Sequence, residues 1–166
     1  MNRVYSPYSY DKYFCLKPSA LLWAALLYLS RAITLPLILG ISAFAGSFAG
    51  ARSDIRALFQ PMFEVYTLLP SAIAALVLFA LIRRSPHASG TVRRIWAHGR
   101  MLLALAAVLD LVVTLVNSPL AHGEINDQVK MPLLTALFDA YFLFYVLLAR
   151  YVRDVFANFP APDATP

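Results

Sequence analysis

This chain is nearly without cysteine, is poor in charge and lacks catalytic signatures, and each shortage removes a class of function. A single cysteine, Cys15, rules out an intrachain disulfide and any multi-cysteine metal site. Just ahead of an apolar run it reads as a small apolar residue, with palmitoylation as the lesser alternative. His87 and His98 have no neighbouring Cys, Asp or Glu, so no metal and no other cofactor is expected. HExxH, GxSxG, P-loop and Cys/His nucleophile patterns are all missing, which reads as a non-enzymatic protein. There is no low-complexity tract, long linker or internal repeat, so a single domain is expected.

Only 14% of the 166 residues are charged, whereas 60% are hydrophobic and the mean hydropathy is +0.66. A soluble domain of this size cannot hide so much apolar side chain. The apolar residues also run in long blocks rather than at amphipathic spacing. Both features predict an all-α integral membrane protein, a four-helix transmembrane bundle. The net charge of +5 then reflects Lys and Arg in cytoplasmic loops rather than a nucleic-acid partner.

In chain order, residues 1–17 read as a cytoplasmic interfacial arm in which Tyr5, Tyr8, Tyr10 and Tyr13 accompany Arg3, Lys12 and Lys17. The membrane domain covers 18–149, with spans near 19–45, 62–82, 101–121 and 132–150; the tail, 150–166, is expected to be disordered at its end. Pro18 opens the first span. That span exceeds the ~20 residues a crossing needs, so tilt, a kink at Pro36 or an interfacial tail is expected. Ala43-Phe44-Ala45 has the form of a signal-peptidase site, but the preceding apolar region is too long and contains Arg31, so the segment is expected to be retained. The GxxxG from Gly46 to Gly50 falls at the span's end and reads as a turn. In the second span Glu64, Thr67 and Ser71 share one helical face.

Residues 83–100 hold Arg83, Arg84, Arg93, Arg94 and Arg100 without an acid, and Pro86, Ser89 and Gly90 mark a loop. Contact with anionic lipid, worth roughly 1 kcal/mol per Arg near the surface, is expected there. His122, Glu124 and Asp127 read as a solvated loop on the other side. The arm, this loop and the tail, with Arg150 and Arg153, hold most of the Lys and Arg, against Arg52, Arg56 and Lys130 opposite. The positive-inside rule therefore places both termini in the cytoplasm.

Three ionisable residues interrupt the spans. At ~1.5 Å per residue, Arg31 lies roughly 20 Å from the inner edge, Asp110 roughly 14 Å and Asp139 roughly 19 Å, nearly one level. Each costs ~2.5–3.5 kcal/mol at the centre of a span, so the three are expected to meet inside the bundle, with Arg31 bridging Asp110 and Asp139. Two carboxylates against one guanidinium leave a surplus negative charge, so one aspartate is expected to be protonated or hydrogen-bonded to Thr34, Thr114, Asn117 or Tyr145. Thr114 and Asn117 follow Asp110 along one face and extend this polar cluster. It reads first as glue that fixes helix register, and second as a proton or solute path.

The two ends carry a resemblance. Tyr10-Asp11-Lys12 with Leu16-Lys17-Pro18, and Arg153-Asp154-Val155-Phe156-Ala157-Asn158-Phe159-Pro160, resemble the opening and closing motifs of the YfeZ-like bacterial inner-membrane proteins, a family of unknown function. Asn158 departs from the aspartate of that pattern. The resemblance implies a bacterial inner-membrane location and brings no activity. Asp11 and Lys12 are expected to meet Arg153 and Asp154, closing the bundle's inner end. The functional expectation is a scaffold or accessory subunit contacting lipid, itself or other membrane proteins; the alternative is an oligomeric proton-linked or small-solute transporter.

Overall fold

The computed structural model describes residues 5–44, 65–119 and 129–160. The segments 46–50 and 52–61, Glu64, and the loop with His122, Glu124 and Asp127 lie outside them. Seven α-helices occur among the described residues: α1 (Ala20–Leu29), α2 (Arg31–Phe44), α3 (Leu68–Ile82), α4 (Gly90–Ala97), α5 (Gly99–Val116), α6 (Lys130–Leu148) and α7 (Arg150–Ala157). The described part is all-helical apart from short turns and one isolated bridge, Tyr10 to Leu16, in the arm.

Two helices, α5 and α6, are long and apolar enough to cross a membrane, and α1 with α2 makes a third if the bent pair is one span. The 15-residue α3 is apolar but shorter. Helix α5 is central: it lies along α6 and α3, and α1 packs against both α3 and α5. Its inner face is built from small residues, Ala104, Ala106 and Ala107, and α3 contributes Ala74 and Ala80 to the same core. Small side chains let helix backbones approach closely, the main packing device where lipid removes the hydrophobic drive between helices. The outer faces are the reverse of a soluble protein's. Met101, Leu105, Val108, Val112 and Leu115 recur at three- and four-residue intervals along α5 and are all exposed.

The first apolar block differs most from expectation. It bends by 87° between α1 and α2, and the bend falls at Ser30 rather than at Pro36, which sits inside α2. Pro18 also lies outside the helix, because Ser19 is the cap and its hydroxyl accepts from the Leu22 N–H at 3.1 Å. Helix α1 alone rises only ~15 Å, about half of a ~30 Å hydrocarbon core.

A break inside an apolar region strands backbone carbonyls, and each needs a new donor. The four at the end of α1 all find one. Ser30 donates from its N–H and its hydroxyl to Leu26 O and, at a longer 3.4 Å, from the hydroxyl to Leu27 O. Arg31 donates to Tyr28 O at 3.2 Å, and Ser71 reaches across from α3 to donate to Leu29 O at 2.9 Å. Serine hydroxyls that bond back to the preceding turn bend helices. A proline, by contrast, bends a helix only where the lost bond is not otherwise accommodated.

The second expected face has a physical role here: Thr67, Ser71, Ala74 and Leu78 are buried, and Ser71 seals the break. Residues 83–100 are not wholly a loop. Ser89 caps α4, accepting from Val92 N–H, and Val92 and Trp96 bury one side of it. Local capping and an apolar face outweigh the turn-forming residues that precede Gly90. Two substitutions separate these causes. Ser71→Ala leaves Leu29 O buried without its donor and is expected to cost ~1–3 kcal/mol in detergent unfolding. Pro36→Ala is expected to leave the α1–α2 angle intact, measured by spin-label distances across the bend.

Candidate functional site

The bend brings Arg31 to the start of α2, against the middle of α5 and α6. Its Nη1 donates to Asp110 Oδ2 at 2.7 Å, an ion pair with both side chains almost wholly buried. The guanidinium also lies over the Tyr28 ring, 4.4 Å from its centroid. Tyr28 in turn donates to Thr135 O on α6 and packs against Phe138 and Phe142, tying α1 to α6. This aromatic support is absent from the reading by depth and charge, although Tyr28 stands three residues before Arg31, at helical spacing.

Asp139, on α6, is fully buried and lies close enough to Asp110, Arg31 and Tyr28 to interact electrostatically with each. It is not part of the ion pair. Among the described residues, neither of its oxygens has a hydrogen-bond partner, and Asp110 Oδ1 and Arg31 Nε are likewise unmatched. Arg31 therefore pairs with one aspartate instead of bridging two. The expected seam through Thr114 and Asn117 is weaker still: Asn117 is exposed, caps the end of α5 and donates to Val113 O of its own helix, and Thr114 is half-buried. A terminal asparagine satisfies its own helix more readily than it reaches a distant partner.

A second polar centre lies where the arm, α4 and α7 converge. Arg84 donates through Nη1 to Leu16 O at 2.9 Å and through Nη2 to Asn158 O at 3.0 Å. Trp96, buried in α4, donates to the same Asn158 carbonyl at 3.1 Å and lies under the Arg84 guanidinium. Tyr5 donates to Asp154 Oδ2 at 2.6 Å and stands edge-on to Tyr151, whose hydroxyl donates to Lys17 O at 2.7 Å. Gly99 opens α5 beneath this group: a Cβ there would fall 2.8 Å from Phe156 Cδ1 and still nearer Cε1, so only glycine admits the ring.

Arm and tail thus do meet, but among the described residues Asp154 alone of the four charges expected to join them takes part, accepting from the arm's Tyr5 rather than from Lys12. Asp11 caps its own turn, accepting from the Tyr13 and Cys15 N–H groups; Lys12 lies over Tyr13. Arg153 is exposed and, among the described residues, pairs at 3.5 Å with its neighbour Asp154. Apart from the Asp154 carboxylate, tyrosine hydroxyls and backbone carbonyls make the contact, and neither shows in a pattern of charge. Cys15 is buried beside it, and burial pushes its thiol up; a protonated thiol is a weak nucleophile.

Three of the five loop arginines also serve the protein itself. Besides Arg84, Arg93 donates to Pro86 O at 2.6 Å and covers the Phe159 ring. Arg100 donates to Val146 O and Leu147 O, two carbonyls at the end of α6. Cations suit that end of a helix, where unmatched carbonyls concentrate negative potential. Arg83 leans over Phe79, and Arg94 is exposed.

A family model described as Protein of unknown function (DUF2919) matches residues 5–158. No curated protein and no solved structure matches the chain. The matched stretch begins at Tyr5 and ends at Asn158, so it encloses both sides of the arm–tail contact. Arg84→Ala is expected to free arm and tail together, with amide exchange rising in both 7–17 and 150–160; a rise confined to one segment would show that Arg84 is not their common clamp. Gly99→Ala is expected to cost ~1–3 kcal/mol through overpacking against Phe156, read from the thermal unfolding midpoint.

Proposed function

The chain belongs to the family of unknown function whose model spans it, and we propose that it acts in a membrane as a small polytopic scaffold or accessory subunit rather than as an enzyme. In this reading the chain crosses the membrane four times, with both termini cytoplasmic. The excess of Lys and Arg in the arm, the 83–100 segment and the tail supports that orientation. The end motifs support a place among the YfeZ-like proteins of the bacterial inner membrane. Arg83 and Arg94, which bind no backbone carbonyl through their side chains among the described residues, are the arginines best placed to meet anionic lipid.

One observation carries the structural role. The central charges are closed off: Arg31, Asp110 and Asp139 are 5%, 1% and 0% exposed, and the ion pair is direct. A buried pair of this kind fixes which helices meet and at what register, and removing one partner leaves the other charge uncompensated. The second reading, an oligomeric proton-linked or small-solute transporter, draws on the broken α1–α2 pair, since discontinuous helices commonly frame such sites.

Two experiments separate these readings. Arg31→Met or Asp110→Leu alone is expected to cost ~3–5 kcal/mol, and the double replacement to recover most of it, measured by unfolding in detergent. Photo-crosslinkers at the exposed Val108 and Val112 positions of α5 are expected to capture defined protein neighbours in native membranes. Capture of lipid alone, together with proton or solute flux in reconstituted vesicles, would replace the scaffold reading with the transporter.

A further inference from the structure

The ion pair leaves a second buried acid unexplained. Asp139 sits midway along α6, 0% exposed, with no hydrogen-bond partner for either oxygen among the described residues. Asp110, the nearest acid, has one oxygen on Arg31 and the other, Oδ1, unmatched. The titratable and charged groups that face Asp139 are Tyr28 from α1, Arg31 from α2 and Asp110 from α5. One cation therefore serves two carboxyl groups, and its ion pair is with the other one. An ionised carboxylate left unpaired in a dry interior is costly, and two carboxyl groups at close quarters tend to share a proton.

We propose that Asp139 is a proton-binding site of this protein, its carboxyl group neutral beside the Arg31–Asp110 pair and able to donate to Asp110 Oδ1. Binding takes one proton from water and leaves Asp139 uncharged; release returns the proton to water and leaves a carboxylate. The neutral acid makes the cluster balanced, one guanidinium against one carboxylate. Release sets a second anion beside Arg31, whose Nε is unmatched, at the start of the helix that leaves the 87° bend. The site is chemically distinct from the structural pair, so it goes beyond the scaffold role and stands or falls separately from it.

The test is infrared spectroscopy of the full chain in vesicles of mixed neutral and anionic lipid at pH 7. The wild type is expected to show the carbonyl band of one buried protonated carboxyl, shifted in heavy water and unmoved by sodium chloride. Asp139→Asn, which imitates the neutral acid, is expected to fold and to lose the band; Asp139→Glu is expected to keep it at a displaced frequency. Asp110→Asn, which strips Arg31 of its partner, is expected to unfold at lower temperature than Asp139→Asn. The proposal is overturned if the wild type has no such band, or if the band survives in Asp139→Asn. It is overturned equally if Asp139→Asn cannot fold while Asp139→Glu lacks the band. Loss of the band on adding sodium at constant pH would make this a metal-cation site and end the proton assignment.

Discussion

A buried guanidinium has to be neutralised and hydrogen-bonded, and much of this molecule follows from how that is done for Arg31. Its carboxylate partner is on α5, its aromatic platform is on α1 and it stands at the head of α2. Meeting Asp110 at 2.7 Å while bonding Tyr28 O requires the chain to turn just before Arg31. The turn exposes carbonyls, and Ser30 and Ser71 cover them. Ion pair, bend and serine donors are thus one arrangement: the carbonyls at the break and the facing atoms of the ion pair would each be unsatisfied alone and are matched together, with Arg31 Nε and Asp110 Oδ1 left over among the described residues.

The opposite polar centre uses different chemistry. Where the arm, α4 and α7 meet, the acceptors are mostly backbone carbonyls, those of Leu16, Lys17 and Asn158, and the donors are Arg84, Trp96 and Tyr151. Arginine suits this because its planar fork reaches two acceptors at once. Arg84 does so between residues 16 and 158, which lie at nearly opposite ends of the chain. Arg100 does the same for the last turn of α6. A net positive charge that looks like lipid attraction is in part the means by which the helix ends and termini are joined.

The division between what could be read from the residues and what could not follows from these interactions. Helical class and the approximate extents of α5 and α6 are legible because long apolar blocks are a composition signal. Counting rise along the spans brings Arg31, Asp110 and Asp139 to one neighbourhood, although the count takes the chain from Pro18 to Arg31 as straight and an 87° bend falls just before Arg31. The bend cannot. It depends on Ser30 and on a donor from α3, and a proline six residues later was the more conspicuous candidate. The partners of the loop arginines were equally hidden, because carbonyl acceptors are present at every residue and carry no signature in side-chain type. For the same reason, Asp11 and Lys12 looked like the partners of Arg153 and Asp154, whereas Tyr5 meets Asp154 and Tyr151 meets Lys17 O.

Counting charges gives one acid in excess but not which of the two the cation takes. Equal depth suggested a symmetric bridge, yet a guanidinium already stacked on Tyr28 and bonded to Tyr28 O has a restricted direction of approach, and in the structure it meets Asp110. Asp139 lies within electrostatic reach of Arg31 but is not paired with it. The asymmetry gives the two aspartates different places: Asp110 holds Arg31 directly, whereas Asp139 feels Arg31 without an ion pair and alongside a second acid. A cluster whose charges balanced completely would serve only as glue. One acid in excess makes the same cluster responsive to protons, at the point where the first helix is broken.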